Sequence, residues 1–142
     1  MHQSVGAIIR NKEGKILLLD RTKVPFGWAC PAGHVDGSKE SKSVEDETPE
    51  VALIREVKEE TNLAVKKYHL ILHEFIGWGR CSRGVCGHDY FVFEVDEWEG
   101  EVKKADREAK DIGWFSREEI KSLKLEPVWE YFFGKMGFLK SE

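Results

Sequence analysis

Several things are scarce in this 142-residue chain, and each scarcity removes a class of protein. Cysteine occurs three times, at Cys30, Cys81 and Cys86. An odd count without a secretory leader fits a reducing cytoplasm better than a disulfide scaffold. Long apolar runs are missing: nothing approaches the ~20 residues that span a bilayer. Residues 1–4 do not lead a basic segment into an apolar one, as a signal peptide would. A cytoplasmic location with no membrane partner is therefore expected. Basic excess is missing too. Lys+Arg number 22 against 26 Asp+Glu, giving −4, so no attraction to a nucleic-acid backbone is expected and no nucleic-acid partner. No internal repeat is visible. What remains is 41% hydrophobic and 34% charged residues, enough for one core under a solvated surface. The expectation is a single domain over residues 1–142.

Along the chain, residues 5–10 and 15–21 are apolar and β-rich, separated by the turn residues Asn11 to Gly14, and read as a hairpin or two neighbouring strands. Phe26-Gly27-Trp28 leads to Cys30-Pro31-Ala32-Gly33, where Pro and Gly mark a turn. Residues 36–46 are polar and read as a solvated loop. Thr48 is a good N-cap and Pro49 suits the first helical position. That helix runs to about Thr61, and Asn62 ends it in the left-handed conformation. Residues 70–75 and 90–95 are strand candidates, with a Gly-, Cys- and Arg-rich loop over 77–89 between them. Residues 112–115 form a last short strand. Ser116 with Glu119 makes a capping box, and Glu126-Pro127 opens an aromatic-rich helix. Strands interleaved with helices give an α/β or α+β class.

The first helix carries the most information. Glu56, Glu59 and Glu60 fall on one arc at about 100° per residue. Val51, Leu53, Ile54 and Val57 are expected to face a core on the other side, and the small Ala52 to leave space above the carboxylates. Three carboxylates on one face repel each other, by roughly 0.2–0.5 kcal/mol per exposed i,i+4 pair. A divalent cation removes that penalty, and clustered carboxylate oxygens suit Mg²⁺, which keeps waters for substrate phosphates. Arg55 is placed to pair with Glu47 or with a cluster glutamate. The plainer alternative is a solvated acidic face with Arg55 and Lys58 as counterions.

Arg55-Glu56-Val57-Lys58-Glu59-Glu60-Thr61-Asn62-Leu63 resembles the second half of the Nudix box, and Glu47 stands at the family's spacing before Arg55. Pro31-Ala32-Gly33-His34-Val35-Asp36 resembles the turn that opens the box. The resemblance extends over the chain to Ile112-Gly113-Trp114-Phe115 and the helix after it. Two positions depart from the pattern. The box glycine would fall at Ser41, so Gly33 is taken as its equivalent, with residues 38–45 an insertion. Asn62 replaces the terminal glycine, and Asn is the usual substitute in that conformation.

The resemblance implies a Nudix-like α/β/α sandwich, a mixed β-sheet between helices. It implies Mg²⁺-dependent hydrolysis of a phosphoanhydride bond in a nucleoside diphosphate derivative, with Mn²⁺ as substitute metal. A nucleoside triphosphate yielding the monophosphate and pyrophosphate is the first expectation; ADP-ribose or a nucleotide sugar is the second, and the Pro31-Ala32-Gly33 turn resembles that group. A non-catalytic nucleotide-sensing module is the rival from another class. The implied catalytic set is Glu56, Glu59, Arg55 and Glu47. The implied metal ligands are Glu56, Glu59, Glu60, the Ala32 carbonyl and a late loop carboxylate, with Glu108 preferred to Asp106 and Asp111. Gly33, Arg80 and Trp28 are the substrate-binding candidates. Zinc at Cys81, Cys86, His88 and Cys30 is set aside, since that spacing matches no zinc pattern. The apolar stretch 129–138 fits either the core or the interface of a homodimer.

Overall fold

The structure is a computed structural model that describes residues 2–35, 47–78 and 87–139. The loop expected over 36–46, with its insertion, lies outside the described residues, as do Arg80, Cys81, Arg83 and Cys86.

Among the described residues, seven strands and three helices follow in order: β1 His2–Ile9, β2 Ile16–Arg21, β3 Trp28–Ala29, β4 Ala32–His34, α1 Pro49–Thr61, β5 Ala64–Ile76, β6 His88–Glu99, β7 Ala109–Phe115, α2 Arg117–Lys121 and α3 Pro127–Lys135. The strands form a four-stranded sheet in the order β4-β1-β6-β5 and a three-stranded sheet in the order β3-β2-β7. β1 and β6 run parallel and their neighbours antiparallel, so the larger sheet is mixed.

Period-two alternation makes the layers. Val5, Ala7 and Ile9 of β1 join Leu17 of β2, Phe93 and Val95 of β6 and Ala52, Leu53 and Val57 of α1. Ile8, Ile16, Leu18 and Val92 turn the other way, onto Ile120 of α2 and Trp129, Phe132 and Phe133 of α3. Strands between α1 on one side and α2 with α3 on the other are the expected sandwich. Gly6 is obligatory at the second contact, because a Cβ there would lie 2.4 Å from Trp129 Cζ2.

Several expectations need correction. β1 and β2 are not paired as a hairpin; one bridge, Arg10 to Ile16, joins them before they enter different sheets. Asn11 makes that break, its side chain accepting the N–H groups of Glu13 and Lys15. Ala32 to His34 is not a turn but a strand, laid against Ser4 to Gly6. Asp89 belongs to β6 rather than to the preceding loop. Strands β5 and β6 extend well past the expected 70–75 and 90–95. Trp129, Phe132 and Phe133 of α3 are buried in the core, which leaves them unavailable to a subunit interface. No described helix is long and apolar enough to cross a membrane.

Candidate active site

Local signals fix α1. The Thr48 side chain accepts the Val51 N–H, Pro49 opens the helix, and Asn62 closes it at φ 71°. The helix is rotated from the expected setting. Val51 and Ile54 are 52% and 41% exposed, whereas Ala52 is fully buried. Ala52, Glu56 and Glu60 form one i,i+4 row, and that row runs into the protein beside β4. Ala52 therefore packs in the core instead of clearing space above the acids. Glu60, only 4% exposed, is a carboxyl group set among core residues.

Burying a carboxylate requires compensation. The Ala32 N–H donates to Glu60 Oε1 at 3.1 Å. The Glu56 and Glu60 carboxyls lie side by side and shift each other's titration. Burial and then the neighbouring Glu56 carboxyl hold the Glu60 carboxyl well above the ordinary carboxylate range. Burial also raises Glu56, against the lowering effects of Glu60 and of Arg55. Both carboxyls are thus held above the ordinary carboxylate range, Glu60 the further.

Arg55 organises the exposed flank. Its Nε and one terminal nitrogen grip Glu47 at 2.7 and 2.9 Å, and that nitrogen also reaches the His34 carbonyl at 3.0 Å. Its other terminal nitrogen donates to Glu56 and Glu59, both at 2.9 Å. This fork ties the helix to β4 and sets two of the three box carboxylates.

Gly33 completes the contact between strand and helix. A Cβ on it would lie 2.1 Å from the Glu56 carboxyl carbon. Only glycine lets the carboxylate lie against the strand. The residue is needed for close approach, not for a turn.

A cavity of about 230 Å³ opens over these groups, and Ala32, Gly33, Glu56, Glu59, Glu60 and Glu108 all line it. Of the three late carboxylates, Glu108 alone is among the lining residues. Asp106 is 91% exposed beside Lys104, and Asp111 accepts the Ile112 N–H. Glu108 lies 3.9 Å from Lys23, and its charge contributes to the raised Glu60. Trp28 is not a lining residue; its ring meets Phe115 edge-on with centroids 4.9 Å apart. Sequence reasoning missed Arg21 and Lys23, two cations of the cavity wall, and did not single out Trp78, which also lines it. Their only signal was position near the end of β2 or β5.

All the acids offer oxygen, the donor chemistry of Mg²⁺, and the pair whose pKa values burial raises is where a cation's charge would favour ionisation. The set is not preassembled. Among the described residues no three His, Cys, Asp or Glu side chains converge on a metal position, and Arg55 holds Glu56 and Glu59.

The fold and this acidic row define one class of protein. The Nudix domain family model matches residues 1–133, and the chain belongs to the Nudix family. An RNA pyrophosphohydrolase of Gluconobacter oxydans is 37% identical over 76 residues, which are 53% of this chain and 38% of that protein. An ADP-ribose pyrophosphatase of Methanocaldococcus jannaschii is 34% identical over 122 residues, 84% of this chain and 64% of that protein. The chain thus spans less than two thirds of either relative's length. A MutT NUDIX hydrolase from Burkholderia pseudomallei shares the fold at TM-score 0.74 and 22% identity, over 92% of this chain and 93% of that one.

Proposed function

We propose that the chain hydrolyses a phosphoanhydride bond of a nucleoside diphosphate derivative in a Mg²⁺-dependent reaction, with Mn²⁺ as substitute. The observation that carries this reading is the buried Glu60 beside the half-buried Glu56, sharing one cavity with Glu59, Glu108, Arg21 and Lys23. Clustered acids alone would repel a diphosphate, and cations alone would bind it without activating water. Glu56, Glu59, Glu60 and Glu108 would hold the metal, with the Ala32 carbonyl beside them. The bound ion would neutralise diphosphate charge and lower the pKa of a water molecule. Arg55 and Glu47 orient Glu56 and Glu59, Gly33 keeps the approach to Glu56 open, and Arg21 and Lys23 take substrate charge. Water attacks one phosphorus and the other phosphate leaves.

The substrate proposed first is a nucleoside triphosphate, giving the monophosphate and pyrophosphate in the cytoplasm. ADP-ribose is the second reading, favoured by the M. jannaschii relative, which aligns with 84% of this chain. The test is product analysis on a panel of NTPs, dNTPs, oxidised dNTPs, ADP-ribose and dinucleoside polyphosphates, with Glu60→Gln as control. Turnover of one class that collapses in the variant supports the reading. Tight nucleotide binding without turnover would replace it with a sensing module.

A further inference from the structure

The cavity has a wall that the acids and cations do not explain: Ile76, Trp78 and Val128. Its origin is the alternation of β5. Leu72 packs into the layer beneath α3 and Ile76 is buried in it. Glu74, between them on the same face, takes a hydrogen bond from the Tyr131 hydroxyl and an ion pair from Lys135, both on α3. Trp78 continues this even-numbered series just beyond the strand. Its ring meets Tyr131 edge-on, with centroids 5.6 Å apart and planes at 86°, and it remains 44% exposed. Tyr90 also lines the cavity but is only 8% exposed and packs edge-on against Trp129 and Phe132. Trp129 is wholly buried, Trp28 lies against Phe115, Trp98 stacks on Trp114, and Phe75 does not line the cavity. An indole that is 44% exposed and held by one perpendicular ring keeps ring surface open to a planar ligand.

We infer that Trp78 is the stacking platform for the nucleobase, and that Tyr131, fixed by Glu74 and Lys135, is the positioning residue that sets its plane. The inference rests on the nucleotide reading above. Stacking of a base on an aromatic ring is tolerant of base identity, so this platform selects nucleotides over base-free diphosphates without choosing among bases. Glu74, Tyr131 and Lys135 hold the platform from outside the cavity lining and do not touch substrate.

The test compares KM and kcat, with Mg²⁺ present, on the preferred nucleotide and on its ribosyl analogue lacking the base. Trp78→Leu is expected to raise KM for the nucleotide about tenfold, equivalent to about 1.4 kcal/mol. It should leave kcat within about twofold and the base-free analogue unaffected. Trp78→Phe restores most of the loss. Tyr131→Leu gives a smaller rise, and Tyr131→Phe, which keeps the ring but loses the hydroxyl bond to Glu74, a part of it. An unchanged KM in Trp78→Leu, or an equal rise on both substrates, would overturn the inference while leaving the hydrolase reading intact. Tryptophan fluorescence titrated with AMP and GMP decides the matter independently of turnover. Quenching present in the parent protein and absent in Trp78→Phe supports the platform even if no substrate is hydrolysed; quenching of equal size in both overturns it.

Discussion

Gly33→Ala is expected to disable the site while leaving most of the stability in place. The added Cβ would sit 2.1 Å from Glu56 Cδ and 2.3 and 2.4 Å from its two oxygens, far inside van der Waals contact. Gly33 cannot retreat, because it is paired with Val5 in the β1–β4 ladder. The Glu56 carboxyl is the end of a flexible side chain, so it is the group that moves. Moving it breaks the 2.9 Å bond from Arg55 and the contact with Glu60. A charge-assisted hydrogen bond contributes about 1.5–3 kcal/mol, which sets the upper range for the stability loss. The effect on turnover is larger, since a displacement of about 1 Å in a catalytic constellation can cost roughly 10²-fold. Urea denaturation and steady-state kinetics on the same preparation read both quantities. Gly134→Ala in α3 is the control. Nothing lies within 4 Å of its added Cβ, so it should stabilise by about 0.4–1 kcal/mol and leave kcat unchanged. Wild-type kcat in Gly33→Ala would refute the account of how strand and carboxylate meet.

Further outcomes follow from the same geometry. Because the folded Glu60 carboxyl is raised by burial, its contribution to stability is complete below its unfolded pKa. That contribution is lost as pH rises through the folded value. Metal-free protein should therefore lose stability from the ordinary carboxylate range upward, and Glu60→Gln should flatten that slope in thermal melts. Arg55→Lys removes the two-point grip on Glu47 and should lower kcat at least tenfold with a modest loss of stability; kcat within twofold of wild type would exclude the positioning role. Glu126→Ala deletes the side chain that caps α3 at the Val128 N–H and should cost about 0.5–2 kcal/mol, measured by urea denaturation. Trp129→Ala empties the core beside Gly6 and should cost about 3–5 kcal/mol.

What could be read in advance was what local chemistry determines. Thr48, Pro49 and Asn62 bound α1 because capping is decided within a few residues, and Ser116 with Glu119 opens α2 for the same reason. The acidic row was legible from spacing, but its rotation was not. Val51 and Ile54 suggested a core face by composition, yet α1 settles with Ala52, Leu53 and Val57 inward, because the Glu row must meet β4. Most of β5 was hidden for a related reason. It is an edge strand whose Lys66, Lys67 and Leu70 face water, so no alternation of apolar and polar residues announces it. Arg21 and Lys23 were out of reach because they join the acids only once the chain is folded. Trp28 and Trp78 are indistinguishable by composition; one packs against Phe115 and the other opens on the cavity.

The most direct measurement is hydrolysis of the best substrate by chelator-treated protein, titrated with Mg²⁺, for wild type, Glu56→Gln and Glu60→Gln. The account predicts no turnover without the cation and saturable activation in the wild type. It predicts a fall of at least about 10²-fold in both variants, with the Mg²⁺-induced rise in Tm also lost. Full turnover in the absence of any divalent cation, or wild-type activation in both variants, would contradict it.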